Sequence, residues 1–187
     1  MSTVATSVTT PVTTWKIDAS HSHVEFAVRH LMISTVKGRF GDVQGTVRID
    51  ESDFSKSGAD ITIDVASIDT RDPQRDAHLK SADFFEVEKY PTITFTSTRV
   101  EKKSDDRFTL VGRLTIRGVT EEVSLDVTHE GRGNDPWGGE RAGFSAKTQI
   151  KRSRFGLTWN QLLEAGGVAV GDDIKIATDI ELVRVKQ

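Results

Sequence analysis

The chain has no cysteine, and that excludes disulfides, thiolate metal sites and a cysteine nucleophile. It has no apolar run approaching the roughly 20 residues of a membrane-spanning helix. No Gly-x-Ser-x-Gly elbow is present, and no glycine-rich loop follows a strand to open a helix, so the usual nucleophilic-hydrolase and phosphate-cradling signatures are missing. Charge is balanced: the net value is −3 over 187 residues, which gives no broad attraction to nucleic acid or to an anionic membrane and leaves only a local basic patch open. The first residues, Met1-Ser-Thr-Val-Ala-Thr-Ser, carry neither the basic start nor the apolar core of a signal peptide. The expectation is a cytoplasmic protein without a transmembrane segment.

Period-2 alternation is what the chain has in abundance. Val24, Phe26 and Val28 alternate with polar neighbours, as do Ile61, Ile63 and Val65, then Ile93 and Phe95. Phe108, Leu110, Gly112, Leu114 and Ile116 make one face of a long strand; Val123, Leu125 and Val127 make one face of the next. Ile174, Ile176, Thr178, Ile180 and Leu182 close the series. Such alternation specifies antiparallel sheet with one buried face. Arg117-Gly118-Val119-Thr120 reads as a tight hairpin connection and residues 131–139 as a longer loop. Glycines at 38, 41, 45 and 112 lie inside strand patterns, where they mark the bends a closing barrel needs. The expected fold is all-β: an antiparallel barrel of about eight strands over residues 14–187, after a flexible tail at 1–13.

One or two short helices interrupt the strands. Asp72 is an N-cap followed by Pro73, and His78, Ala82 and Phe85 fall on one helical stripe; Tyr90-Pro91 bars continuation. A second helix is expected at Asn160–Ala165, ended by Gly166-Gly167.

Five histidines raise the question of a metal. His21 and His23 share a strand face, but alternation puts His30 on the other, and His78 has no fixed partner in sequence. Zinc sites need three or four convergent ligands. No metal, cofactor or catalytic set is therefore expected. Asp105-Asp106 and Asp172-Asp173 sit beside turns and read as solvated acids. Basic residues cluster at Lys37 and Arg39 and at Lys151, Arg152 and Arg154. These are either a solvated face or an anion clamp at a barrel mouth, a role that suits the planar guanidinium fork.

Several blocks together resemble the YceI-like family. Trp15-Lys-Ile-Asp18-Ala-Ser-His21-Ser-His23-Val-Glu-Phe26-Ala-Val-Arg29-His30-Leu31 is similar to its opening signature, followed by Val36-Lys-Gly38-Arg39-Phe40. Arg75-Asp-Ala-His78-Leu79, Asp83-Phe84-Phe85, Tyr90-Pro91-Thr-Ile93-Thr-Phe95, Gly112-Arg-Leu114-Thr-Ile116-Arg117-Gly118 and Arg152-Ser-Arg-Phe155-Gly156-Leu157 match in order. Met32 departs from the pattern by standing where members commonly have glycine. The resemblance implies an extended lipocalin-like barrel whose interior holds a polyisoprenoid, an isoprenoid quinone tail or a related lipid. It implies binding, sequestration or transport and supplies no catalytic residue.

On this basis the apolar tunnel is expected to be lined by Phe26, Val28, Phe40, Phe95, Leu114, Phe144, Phe155, Trp159 and Ile176. A polar head group would meet Arg29, His30, Lys37, Arg39, Arg152 or Arg154, with Arg152 and Arg154 on one strand face. A homodimer through an exposed barrel edge is open. So are two other readings: a metal-assisted enzyme acting on an isoprenoid or lipid, and a filled barrel serving as an interaction module.

Overall fold

The computed structural model describes residues 12–186. The strands are β1 (Val12–Ile17), β2 (His23–His30), β3 (Ser34–Phe40), β4 (Val43–Asp50), β5 (Gly58–Asp64) and β6 (Ile68–Asp69). After helix α1 (Pro73–Lys80) come β7 (Thr92–Lys102), β8 (Arg107–Ile116), β9 (Val119–Asn134), β10 (Glu140–Lys151) and β11 (Val170–Arg184). β1 takes in Val12 and Thr13, so two residues assigned to the tail belong to the barrel; residues 1–11 lie outside the described region.

The closed ring runs β1-β4-β5-β7-β8-β9-β10-β11 and returns to β1. It is an eight-stranded antiparallel barrel. Three of its staves are broken and resumed. β1 continues as β2 and β4 is preceded by β3, so residues 12–50 form one long hairpin pairing β1 with β4 and β2 with β3. β5 continues as β6, which pairs with β3. β11 lies along both halves of the first stave, meeting β1 at Trp15–Ile17 and β2 at His23–Val28.

The breaks change the side-chain phase. Ile17 packs inward in β1, but Phe26 does so in β2; the 3-10 turn Ala19–His21 supplies the odd offset. Phe40 gives way to Val43 across Gly41-Asp42, and Ile63 to Ile68 across the 3-10 turn Val65–Ser67. Two of the breaks are tied together: the Asp42 amide donates to the Ser67 hydroxyl and the Asp64 amide to the Asp42 carbonyl. The backbone groups that leave the ladder there thus find partners.

Between β6 and β7 the ring has no strand pairing. The segment 70–91 closes that gap. Asp72 caps α1, accepting from the Gln74 and Arg75 amides. The helix ends at Lys80, earlier than expected, so Ala82 and Phe85 lie on the loop after it. No helix forms at Asn160–Ala165. Gly166 and Gly167 take positive φ and a bridge joins Leu162 to Val168, making a tight loop. β9 also extends through Asn134, which shortens the expected 131–139 loop to residues 135–139.

Candidate functional site

A cavity of about 290 Å³ runs along the barrel axis. Every stave contributes the inward half of its alternation: Phe26 and Val28, Phe40, Ile61 and Ile63, Phe95, Leu110 and Leu114, Val123 and Leu125, Phe144 and Ala146, Ile174 and Ile176. The wall is almost wholly hydrocarbon. Its polar members are Ser57, Thr148, Thr178 and Arg152. The Ser57 hydroxyl accepts from the Asp50 amide and the Thr148 hydroxyl donates to the Ser124 carbonyl. The Thr178 hydroxyl is buried and has no hydrogen-bond partner among the described residues.

Two glycines let aromatic rings lie flat on this wall. Gly38 pairs across the strands with Phe26, and a Cβ there would overlap the Phe26 ring. A Cβ on Gly112 would come within 2.5 Å of the Phe95 ring. This is the exchange of side-chain volume for close approach that strand glycines permit.

The two ends differ. At the far end Phe54 stacks on Phe108, with centroids 4.6 Å apart. Beyond it Trp15, Ile49, Ala142 and Leu182 form a second buried cluster. Trp15 is fully enclosed, its indole donating to Thr13 and its face covered by Arg132. That end is stoppered. At the other end the cover is the segment 70–91, which contributes Leu79, Phe84 and Phe85 to the wall. Two non-glycine residues within this lid, Arg71 (φ 62°) and Glu86 (φ 49°), take the left-handed region. Phe84 is buried in the core and Phe85 lies edge-on to Phe40, while the Val65 amide donates to the Pro91 carbonyl. The Arg117 guanidinium donates to the Ala82 and Gly156 carbonyls, and Trp159 packs edge-on against His78 and tilted against Phe84.

Seven of the nine residues expected in the tunnel line it: Phe26, Val28, Phe40, Phe95, Leu114, Phe144 and Ile176. Phe155 and Trp159 do not. Phe155 is buried in the main core behind the wall, and Trp159 latches the lid. Leu79, Phe84 and Phe85 were not expected to line it, although they stand in the same central block; their part depends on where the lid loop folds back.

The expected head-group clamp is not assembled. Arg152 and Arg154 do not share a strand face, because the chain leaves β10 at Arg152 and turns through a 3-10 helix, Arg152–Phe155. Arg152 is 6% exposed. Its guanidinium donates to the carbonyls of Gly171, Leu157, Trp159 and Val170. Burial lowers its pKa from the usual guanidinium value, yet it remains a cation. Its donors are spent on backbone, so it ties the 157–171 connection to the barrel end. Arg154 is exposed and pairs with Glu121. Arg29, Lys37 and Arg39 project from the outer face of the β2–β3 hairpin, and His30 is exposed at its end.

The histidines are dispersed. His21 bonds Asp18, His23 lies beside Glu25 and Asp179, and His78 bonds Asp83 at 2.8 Å. Among the described residues, the ligand atoms of Asp18, His21 and Glu181 lie within 4.8 Å of one another. A fixed cation already serves that group: Arg141 Nη1 is 2.7 Å from Asp18 and 2.6 Å from Glu181, while its Nε meets Asp135. Sequence gives no sign of this cluster, because its members come from three distant segments, 18–21, 135–141 and 181. No helix among the described residues is long and apolar enough to cross a membrane.

The model of the YceI-like domain matches residues 15–182. A UPF0312 protein of Serratia proteamaculans is 42% identical over 92% of this chain and 87% of its own. Protein YceI of Salmonella newport is 44% identical over 77% of this chain and 76% of its own. Among solved structures, the Campylobacter jejuni YCEI protein superposes with a TM-score of 0.70 at 35% identity, covering 85% of this chain and 90% of that one. A polyisoprenoid binding domain from Saccharophagus degradans superposes with a TM-score of 0.67 at 16% identity, covering 91% and 98%. The barrel, its lid and these likenesses agree: the chain belongs to the YceI-like family.

Proposed function

We propose that this protein binds one long apolar chain, a polyisoprenoid or the tail of an isoprenoid quinone, inside the barrel for sequestration or transport. The carrying observation is the axial cavity, walled by hydrocarbon on all eight staves, stoppered at one end and lidded at the other. Desolvation supplies the driving force at roughly 0.8 kcal/mol per buried CH₂. A volume of about 290 Å³ lies at the lower edge of ordinary ligand sites, about 300–1,000 Å³. A slender chain suits it better than a broad ring system. The relative from Saccharophagus degradans described as polyisoprenoid-binding supports the same ligand class.

The polar end of the ligand belongs at the lid end, in contact with water, because burying an unpaired charge against this wall is prohibitive. Binding is favoured over metal-assisted catalysis because Arg141 engages the carboxylates that come nearest to a metal-ligand set. The test is mass spectrometry of lipid extracted from the purified protein. A prenyl chain in stoichiometric amount supports the reading; a delipidated protein that takes up no prenyl alcohol or quinone opposes it.

A further inference from the structure

The basic residues that the cavity does not use lie on one hairpin, and its tip is apolar. Leu31, Met32 and Ile33 turn β2 into β3 with exposures of 37%, 60% and 78%, and Leu162 beside them is 83% exposed. The Leu31 amide donates to the Ala169 carbonyl, and the Met32 thioether lies over Gly167, so the tip and the 160–169 loop make one patch. The turn is closed by the Ile33 amide on the His30 carbonyl, with Leu31 at φ 50° and Met32 at φ 61°. Bulky residues are disfavoured there, and such turns ordinarily use Asn or Gly. The chain thus keeps large apolar side chains where backbone strain and water both oppose them, and the packing of the barrel does not account for them.

Close beneath the tip the hairpin carries only basic charge, while Glu164 of the 160–169 loop adds one exposed acid to the patch. Residues 26–40 contain Arg29, Lys37 and Arg39 and no Asp or Glu, in a protein of net charge −3. Arg29 and Lys37 are diagonal neighbours on the outer face; Arg39 lies opposite Glu25. Arg29 holds its guanidinium at the base of the tip, on the Met32 carbonyl and Thr35. Among the described residues none of the three arginine and lysine side chains is ion-paired. The tip is also continuous with the opening of the cavity: Val28 and Val170 line the wall, and Val170 pairs with His30.

We propose that this patch docks the lid end of the barrel onto an anionic lipid bilayer. Met32, Ile33 and Leu162 insert among the head groups while Arg29 and Lys37 meet the negative surface. Docking sets the lid against the membrane, so a chain passes between bilayer and cavity without crossing water. The surface is separate from the cavity, so docking is measured on vesicles that contain no isoprenoid.

The probe is sedimentation with vesicles of phosphatidylcholine alone or with about one-third phosphatidylglycerol. Wild type is expected to partition onto the anionic vesicles, more weakly in high salt. The Met32→Gly/Ile33→Ser/Leu162→Ser variant is expected to lose about tenfold, and Arg29→Gln/Lys37→Gln several-fold, on anionic vesicles only. Met32→Gly alone separates docking from folding: relief of the turn raises the melting temperature while partitioning falls. Failure of wild type to sediment, or equal sedimentation of the triple variant, overturns the proposal. So does a wild-type dimer in analytical ultracentrifugation that the triple variant abolishes, since the patch would then be covered by a second copy.

Discussion

The Phe26 ring on β2 lies across the backbone of Gly38, its partner on β3. The same Gly38 backbone faces the Thr70 methyl at the start of the lid segment. Gly38→Ala therefore forces the ring toward the cavity axis. A loss of about 1–3 kcal/mol in stability is expected, as for other overpacked interiors, with weaker uptake of a prenyl ligand. Adding Phe26→Leu to the same protein should restore part of the stability, because the two residues are in contact and their effects couple. Additive losses in chemical denaturation would contradict this relationship.

Arg152 is expected to matter for folding and not for head-group choice. Removing it leaves several buried carbonyls without donors, each worth about 1–3 kcal/mol. Arg152→Met should lower stability by about 3 kcal/mol or more on that basis. Any change in ligand affinity should be the same for a prenyl diphosphate and a neutral quinone of equal tail length. A selective loss of the diphosphate in calorimetry would restore the anion clamp.

Acid should weaken the Asp18 corner. The Ser20 hydroxyl, then Arg141, then His21 hold the Asp18 carboxyl well below the usual carboxylate range. Its folded pKa lies below the unfolded value of about 3.9. The resulting stability is fully present above that value and is lost as pH falls from there toward the folded pKa. Asp18→Asn should cost about 1–2 kcal/mol near neutrality, with the gap to wild type narrowing at pH values of about 3 and below. Urea titrations at two pH values measure this; a gap that does not change with pH would refute it.

Arg117 should control the lid. It lies in the β8–β9 turn and fastens the Ala82 and Gly156 carbonyls together, with Glu86 beside it. Arg117→Ala is expected to leave the barrel intact and to speed amide exchange across residues 72–87, where the opening costs least. Unchanged protection in that segment would assign closure to the Trp159 latch and the packing of Phe84 and Phe85.

The inward faces of β8, β9 and β11 were legible in sequence because alternation runs unbroken through the residues that line the cavity, whereas β7 changes phase at a bulge between Ser97 and Arg99. Alternation of Leu110 with Leu114 or Ile174 with Ile176 maps directly onto the cavity. The capped start of α1 was legible for a local reason, an Asp72 side chain meeting the amides just after it. The Arg152–Arg154 pairing failed because alternation was carried past the end of β10 into a 3-10 turn. Gly156 at φ 75° closes that turn and is its only local mark. The Asn160–Ala165 helix failed for a related reason. The Asn160 side chain bonds the Gln161 and Val170 amides instead of starting a helix, and two successive glycines reverse the chain. The Arg141 cluster and the Trp159 latch depend on contacts between distant segments, which periodicity does not encode.

The most direct test of the binding account fills the cavity and asks whether the lipid leaves. Ala146 faces the cavity from the middle of β10, between Thr178 and Val127 on the adjoining strands. Ala146→Phe should fold with stability close to wild type, since the ring enters space rather than packed side chains. Native mass spectrometry of the two purified proteins, each offered the same prenyl quinone, reads the bound state directly. The account predicts one ligand per wild-type chain and none or little on Ala146→Phe. Equal loading of both, or no loading of either, would contradict an interior binding site.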